Sequence, residues 1–331
     1  MTVADTPLLT VENLQVHYPA GGGLFRRQQQ IVRALDGVSF AIMPGQTFGL
    51  VGESGSGKTT VGRALLKASP ITSGRVTLHL QNQSPLEIAQ LSGSQLTQLR
   101  RHAQMIFQDP YGALSPRMTV RDIIAEPLEA MGLTRSRQET DERVRAIAER
   151  CRLNLEHLRR FPHAFSGGQR QRIAIARALV CNPSFLVADE AVAALDVSIQ
   201  ASILNLLKSL QKEKQLTFLF ISHDLSVVAH FCDAVAVIYL GELVEVAPKA
   251  TLFHSPRHPY TQALLSAIPP LDPDAKRQRI MLRGEIPSPI SPPSGCRFHT
   301  RCPVAEPHCQ TVKPAWTTLG PNHRVACHLV A

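Results

Sequence analysis

Residues 47–67 read TFGLVGESGSGKTTVGRALLK, and this stretch decides the fold. A short apolar run is followed by a glycine-rich turn and then by residues with the apolar spacing of a helix. Gly52, Gly57, Lys58 and Thr59 have the spacing of a phosphate-binding loop, in which glycines let backbone N–H groups approach phosphate oxygens. Lys58 would reach the terminal phosphates, and the Thr59 hydroxyl would bind Mg²⁺. Because the strand and the helix are both present, we interpret the stretch as a nucleotide site rather than a chance glycine-rich turn.

A second apolar run, FLVADE at 185–190, ends in two carboxylates. Ligands of open parallel sheets gather at the carboxyl ends of strands, so Asp189 would hold the magnesium shell and Glu190 would orient the attacking water. Taken alone, a pair of carboxylates at a strand end is more often just solvated. The interpretation as a nucleotide site depends on the presence of Lys58 earlier in the chain. Another apolar run, TFLFISHD at 217–224, follows a segment of helical spacing, which predicts a right-handed parallel crossover.

The rest of the chain completes an α/β pattern. Residues 8–18 and 31–42 read as strands of an antiparallel edge that are joined by a flexible basic loop. Residues 86–164 carry mainly helical patterning, and short strands are expected within 234–247.

The composition becomes proline-rich from about residue 254. This part predicts one short helix and an extended linker that leads to a cysteine-containing end. We place the domain boundary near residue 253, which gives a nucleotide-binding domain over 1–253 and an extension over 254–331.

Bulk properties restrict the class of protein. The 331 residues carry a formal net charge of +9, but aromatic residues are only 5% and the basic residues form no stripe. We therefore expect no nucleic-acid partner, and the charge suits a solvated surface that faces anionic lipid headgroups. The N-terminus lacks a secretory signal and no uninterrupted run of eighteen apolar residues occurs, which predicts a cytosolic protein that spans no membrane.

A second glycine-containing turn precedes a helical pattern in FSGGQRQRIAIARAL at 165–179. Ser166, Gly167 and Gly168 would form another anion-binding helix terminus. One phosphate loop already serves the nucleotide, so this turn makes sense if it contacts the ATP of another subunit.

These motifs together resemble the ATP-binding subunits of ABC transporters over residues 8 to about 250. The resemblance rests on GESGSGKT at 52–59, FSGGQ at 165–169, LVADE at 186–190 and ISHD at 221–224. It implies an ABC-type P-loop NTPase with a RecA-like core, an antiparallel β-subdomain and an α-helical subdomain over about 86–180. It also implies that two cassettes pack head to tail, with each ATP between the phosphate loop of one and the SGGQ turn of the other.

The resemblance assigns roles to individual positions. Tyr18 would stack on adenine, Gln108 would link the magnesium site to the helical subdomain, His223 would contact the γ-phosphate, and Asp196 would lie in a loop that crosses the dimer interface. The implied catalytic residues are Lys58, Glu190 and His223, and the implied magnesium residues are Thr59, Gln108 and Asp189. The nucleotide contacts are implied at Tyr18, Gly52, Ser54, Gly55, Gly57, Lys58, Thr59, Thr60, Gln108, Asp189, Ser166, Gly167, Gly168, Gln169 and Asp196.

The sequence departs from the family pattern behind Glu190. The family usually has proline directly after this glutamate and serine two residues later, whereas this chain has Ala191 and Ala193. Alanine leaves the turn freer than proline, which could lower turnover. Every residue assigned to direct chemistry is present, so we expect an active ATPase. A non-hydrolysing interaction module is disfavoured for that reason, and a soluble ABC-type ATPase of DNA or ribosomes is disfavoured because the chain has neither an inserted coiled coil nor a second cassette.

The C-terminal end narrows the resemblance to importers of dipeptides and oligopeptides. SPRHPYTQALLSAIP, GEIPSPISPPSGCRF and the cysteines that follow are similar to the extension of those ATPases, and we favour the dipeptide type. Relatives that move nickel, glutathione or antimicrobial peptides are the alternatives. The resemblance implies a second, related ATPase subunit, two integral-membrane permease subunits and a substrate-binding protein. It places the chain peripherally at the cytoplasmic face of the inner membrane.

Four of the seven cysteines lie near the end of the chain, at Cys296, Cys302, Cys309 and Cys327. A reducing cytosol disfavours disulfides, and the spacing lacks the close pairs of zinc ribbons, although His299, His308 and His328 could complete a zinc site. The resemblance favours a [4Fe–4S] cluster held by the four thiolates, with Zn²⁺ as the alternative. Its role would be structural, because a proline-rich tail of this length has little core of its own.

Overall fold

The computed structural model describes residues 6–20, 30–268 and 279–330. The chain divides into two units, of which the first comprises Met1–Leu8, Ile42–Gln46 and Gln90–Ile221, and the second comprises Leu9–Ala41, Thr47–Ala89 and Ser222–Ala331. The basic loop predicted between the first two strands falls largely on residues 21–29, outside the described residues.

Helices and strands are numbered in chain order, and α1 and β1 to β5 belong to the second unit, described below. The first unit contains α2 to α7 and β6 to β8. They are α2 Gly93–His102, β6 Ala103–Ile106, α3 Pro110–Ala113, α4 Val120–Ala130, α5 Arg137–Arg150, α6 Gly167–Leu179, β7 Phe185–Asp189, α7 Val197–Lys214 and β8 Thr217–Ser222. Short 3₁₀ turns occupy Leu155–Arg159 and Pro162–Ala164.

The three strands of the first unit are parallel, in the order β6, β7, β8. Every residue of β7 and β8 is buried, as expected for parallel strands that are covered on both faces. The predicted strand, helix and strand over β7, α7 and β8 are confirmed. Strand β6 was not predicted, since it has only four residues within a helical pattern and exists through its pairing with β7, beginning at Ala103 opposite Phe185.

The second unit contains the remaining elements. They are β1 Leu9–Ala20, β2 Gln30–Ile42, β3 Thr47–Val51, α1 Lys58–Leu65, β4 Ser73–Leu78, β5 Leu86–Glu87, α8 Leu225–Phe231, β9 Ala234–Tyr239, β10 Glu242–Pro248, α9 Lys249–His254, α10 Pro259–Ser266, β11 Trp316–Gly320 and β12 His323–Ala326. Short 3₁₀ turns occupy Ile88–Gln90, whose last residue belongs to the first unit, and Pro307–Gln310.

Two sets of strands organise the second unit. One is a four-stranded sheet in the order β2, β1, β4, β5, in which β1 and β4 are antiparallel. In the other set β3 pairs with β9 in parallel, and β9, β10, β12 and β11 follow in antiparallel succession. The hairpin β11–β12 was not predicted, because its residues lie beyond a linker and outside any long apolar run.

Several sequence expectations can be placed on these elements. The strands predicted at residues 8–18, at 31–42 and within 234–247 are confirmed, and β1 and β2 are neighbours in one sheet. Helix α10 is the predicted short helix. The domain boundary near residue 253 falls inside α9 and stays a prediction. In the described ranges, no helix has both the length and the apolar character that crossing a membrane requires.

Candidate functional site

The phosphate loop, residues 52–59, joins β3 to α1 in the second unit. All five residues of β3 are buried, and α1 begins at Lys58 directly after Gly57. The Lys58 ammonium donates to the main-chain carbonyls of Gly52 and Glu53, each at 2.8 Å. These bonds hold a nearly buried cation against the loop, which is the position a phosphate-binding lysine needs.

Glycine is required at two positions of the loop for different reasons. Gly57 has a φ of 105°, and a Cβ there would lie 2.6 Å from the carbonyl oxygen of Ala34. At Gly52 a Cβ would lie 2.2 Å from the carbonyl oxygen of Ile238. The backbone therefore packs too closely for a side chain. Ser54, Gly55, Thr59 and Thr60, the other predicted contacts, are exposed or half-buried and lie along the same loop and the first turn of α1.

The end of β7 carries the predicted carboxylates in the first unit. Asp189 is 3% exposed as the last residue of the strand. Glu190 follows with a φ of 46°, a left-handed conformation that is costly for a residue with a side chain, and its N–H donates to the Ile221 carbonyl at 2.9 Å. Such conformations concentrate at functional sites.

Gln108 contacts Glu190. The Gln108 side-chain amide donates to Glu190 Oε2 at 2.7 Å, across 82 positions of the sequence. A carboxylate accepts several hydrogen bonds, so the same group has the capacity to accept one from water. The arrangement can orient a water molecule and polarise it.

The SGGQ turn begins α6, also in the first unit. Ser166 and Gln169 form a reciprocal capping box, with Ser166 N–H donating to Gln169 Oε1 at 3.0 Å. A Cβ on Gly168 would lie 2.5 Å from Ile199 Cγ2, so glycine allows α6 to begin against α7. Ser166 and Gln169 are exposed and Gly167 is half-buried, which leaves this helix terminus accessible.

Three further predicted residues lie at the ends of elements. Tyr18 is half-buried near the end of β1 in the second unit, and His223 is exposed between β8 and α8 in the same unit. Asp196 is exposed at the N-terminus of α7 in the first unit. Positions that are exposed or half-buried at the ends of elements suit residues that contact a ligand or a partner.

The contacts of Glu53 were not predicted. Its carboxylate accepts two hydrogen bonds from Arg301, at 2.7 and 3.2 Å, and its N–H donates to the Tyr260 hydroxyl at 2.9 Å. The hydrogen bond to Glu53 raises the pKa of Arg301, and burial raises the pKa of Tyr260. No local pattern connects residues that are 248 and 207 positions apart.

The four C-terminal cysteines are gathered in one part of the second unit. Burial raises the pKa of Cys296 to about 11, and the nearby thiols of Cys302, Cys309 and Cys327 add to the shift. The N–H of Cys296 donates to the Cys309 carbonyl at 2.9 Å. Within residues 6–20, 30–268 and 279–330, no three His, Cys, Asp or Glu side chains are grouped so that they could hold a metal ion. The described side chains therefore do not support the predicted metal site, which stays a prediction.

Both the nucleotide-binding part and the C-terminal part of the chain match known protein families. Residues 35–193 match the ABC transporter family, and residues 244–309 match a family described as "Oligopeptide/dipeptide transporter, C-terminal region". The putative oligopeptide transport ATP-binding protein YkfD of Bacillus subtilis (strain 168) is 51% identical over 325 residues, covering 98% of this chain and 95% of YkfD. The oligopeptide transport ATP-binding protein AppF of the same strain is 48% identical over 332 residues, covering 99% of each chain.

A solved structure supports the fold. The dimeric, post-hydrolysis structure of the ATP-binding cassette MJ0796 bound to ADP and Pi superposes with a TM-score of 0.63 at 28% identity, covering 73% of this chain and 98% of that one. Together with the two family matches, this shows that the chain belongs to the ABC transporter family, as an ATPase subunit.

Proposed function

We propose that this chain is one of two ATPase subunits that power a membrane importer of peptides, with dipeptides as the favoured cargo. The observation that carries the proposal is full-length similarity to proteins named as oligopeptide transport ATP-binding proteins, over 98% or more of this chain. The phosphate loop, with its bonded Lys58, and the Gln108–Glu190 pair support the proposal.

The proposed chemistry divides between charge stabilisation and water activation. Lys58 and His223 contact the γ-phosphate and stabilise the charge that grows on it in the transition state. Glu190 orients and polarises the attacking water, with Gln108 holding its carboxylate. Thr59, Gln108 and Asp189 would hold Mg²⁺, which would supply positive charge to offset the charge of the phosphates.

The proposed active unit is a head-to-tail pair of cassettes. In it Ser166, Gly168 and Asp196 act on the nucleotide that the partner binds, while Tyr18 stacks on the adenine of this chain's own ATP. The exposed SGGQ turn is compatible with this role. The single chain would then be a weak ATPase, because it holds half of each site.

The proposed setting is the cytoplasmic face of the cell membrane, with two permease subunits and a substrate-binding protein. A tagged chain purified from detergent-solubilised membranes should bring down two permeases and a second, related ATPase. Dipeptides delivered with the binding protein should stimulate ATP hydrolysis by the reconstituted complex more than nickel, glutathione or an antimicrobial peptide does. Stimulation by one of those alternatives alone would reassign the cargo.

The ATPase assignment is tested by Glu190→Gln in that complex. This variant should retain ATP binding while phosphate release falls by about 100-fold or more, since removing a group that activates water costs several kcal/mol of transition-state stabilisation. Glu149→Gln changes the same chemistry at an exposed position of α5 and should hydrolyse ATP normally. Near-normal phosphate release by Glu190→Gln would show that another residue activates the water.

We also propose that Cys296, Cys302, Cys309 and Cys327 hold a structural [4Fe–4S] cluster, with Zn²⁺ as the alternative. Four neighbouring thiols are a suitable donor set for either. As described, however, these side chains do not form a metal-ready group, so a cluster would require them to draw closer.

The metal proposal is tested on protein purified anaerobically. A cluster predicts a brown protein with broad absorbance near ~400 nm, lost in Cys302→Ser but kept in Cys181→Ser, which changes a buried cysteine of the first unit. Colourless protein with stoichiometric zinc would favour the alternative. Protein without either metal would remove the proposal.

A further inference from the structure

Two arginines of the cysteine segment, residues 295–302, have almost fully buried side chains. Arg297 is 7% exposed and Arg301 is 8% exposed. Burying a guanidinium is costly unless charged or polar partners surround it. Both arginines find those partners in the nucleotide-binding part of the second unit.

Arg301 is hydrogen-bonded to the phosphate loop through Glu53, the second residue of that loop. Its two terminal nitrogens donate to the two carboxylate oxygens of Glu53 at 2.7 and 3.2 Å, a bidentate geometry that fixes orientation as well as distance. The main chain of Glu53 is also held, because its carbonyl accepts from Lys58 at 2.8 Å and its N–H donates to Tyr260. Two of these three attachments come from residues beyond the predicted nucleotide-binding domain.

Arg297 reaches the loop by a second route. It pairs with Asp36 on β2, with Glu242 on β10 at 3.2 Å, and it donates to the carbonyl of Leu240. The next residue, Gly241, donates its N–H to the Ser56 carbonyl of the phosphate loop at 2.9 Å. The turn between β9 and β10 therefore contacts the cysteine segment on one side and the loop on the other.

An aromatic cluster holds the two arginines in place. Phe298, which is 1% exposed, lies between them in sequence. Its ring centroid is 5.2 Å from that of Tyr239 and 5.3 Å from that of Tyr260. Since Tyr260 itself accepts from the Glu53 N–H, the segment and the loop share one packed support.

The charge of Glu53 gives this support a consequence for ligand binding. A carboxylate in a loop that receives phosphates repels the ligand through like charge. A bidentate arginine neutralises that carboxylate and fixes its direction. Without Arg301, the negative charge of the Glu53 carboxylate would not be neutralised within the anion-binding loop.

We propose that Arg301 is a positioning residue for nucleotide binding, which neutralises Glu53 and holds the phosphate loop in its binding conformation. The cysteine segment then contributes to nucleotide binding, because its contacts support the phosphate loop. This inference rests on the proposed role of the phosphate loop.

The test measures the affinity of the full-length chain for a fluorescent ATP analogue with Mg²⁺. Arg301→Gln should bind about tenfold more weakly, which corresponds to the roughly 1.4 kcal/mol that one charge-assisted contact is worth. The loss should shrink as salt is added, because screening weakens the repulsion from Glu53. The double variant Glu53→Gln with Arg301→Gln should recover to within about threefold of wild type, since neither charge remains.

Controls separate this role from a general effect on folding. Arg283→Gln changes an exposed arginine of the same extension and should bind ATP normally. Arg301→Lys keeps the charge and should lose less affinity than Arg301→Gln. Equal weakness of Arg301→Gln and the double variant, or wild-type affinity of Arg301→Gln, would overturn the proposal.

Two further measurements keep the result interpretable. If Arg301→Gln does not fold, Glu53→Gln alone decides: affinity at least as high as wild type supports the proposal, and lower affinity overturns it. Lys58→Ala should abolish binding of the analogue if the loop holds phosphates. Normal binding of the analogue by Lys58→Ala would refute the proposed nucleotide site itself. If Lys58→Ala does not bind the analogue but Arg301→Gln binds it normally, only the role of Arg301 is refuted.

Discussion

The phosphate loop and the cysteine segment lie in the same unit, but different kinds of contact hold them. The loop has local features that a motif records, namely φ values of 77° at Gly55 and 105° at Gly57 and the bonds of Lys58 to carbonyls five and six positions earlier. The arginines of the cysteine segment bond to residues 57, 248 and 261 positions away. A short motif can therefore reveal the first structure, while only the folded chain reveals the second.

The largest expected effect tests whether the loop depends on its own backbone. Gly57→Ala should reduce ATP binding by about 100-fold or more, because the residue must keep a positive φ and its Cβ would meet the Ala34 carbonyl at 2.6 Å. The measurement is titration with a fluorescent ATP analogue. Gly55→Ala is the matched control, since its φ is also positive but its Cβ would have nothing within 4 Å. Equal losses in the two variants would show that close packing is not what requires glycine.

The next effect tests whether the cysteine segment depends on long-range packing. Phe298→Ala should lower the free energy of unfolding by about 3–5 kcal/mol, because it empties a site among Tyr239, Tyr260 and His258. Urea denaturation monitored by fluorescence measures this loss. Phe161→Ala, at a residue that is 41% exposed, should cost far less. Similar losses in both variants would mean that the segment is not packed on the aromatic cluster.

The smallest effect concerns a buried histidine of that cluster. Burial lowers the pKa of His258 to about 3, and its Nδ1 accepts from the N–H of Tyr260. The unfolded chain binds a proton below pH 6.5 that the folded chain does not, so acidification favours unfolding, by at most about 1.4 kcal/mol per pH unit. His258→Asn keeps an acceptor but cannot titrate, and its stability should fall less steeply between pH 6.5 and 4.

The control for this pH dependence is His254→Asn, which changes an exposed histidine of α9. Its stability should follow the wild-type pH profile, measured as urea denaturation at each pH. An unchanged slope in His258→Asn would show that other groups account for the acid sensitivity.

Patterns within a few residues were sufficient for much of the fold. Strands β7 and β8 are continuous apolar runs, and the helix between them repeats apolar residues on one face, so each could be predicted from its own residues. Strand β6 has four residues and depends on pairing with β7, which no local pattern records. The hairpin β11–β12 depends in the same way on β10.

The candidate site shows the same division. Family motifs assigned roles to Lys58, Gln108 and Glu190, and the structure shows a hydrogen bond between Gln108 and Glu190. The roles themselves stay predictions. The motifs predicted no role for Arg301 and Tyr260, because a single arginine or tyrosine in a proline-rich segment belongs to no motif with a distinctive spacing. Their importance comes from contacts with Glu53 that only tertiary packing creates.

The hairpin β11–β12 also bears on how the chain avoids aggregation. β12 pairs with β10 at Glu245 opposite Val325 and at Val246 opposite Arg324, which covers backbone groups that would otherwise form an open sheet edge. Open edges recruit strands from other molecules, and short or charged outer strands discourage this. On the side of β10 that β12 covers, the outermost strand in the described part of the chain is β11, which has only five residues. Because the ribosome makes β10 before the hairpin, a nascent or C-terminally truncated chain carries this edge uncovered, and we expect it to self-associate more readily than the chain with the hairpin in place.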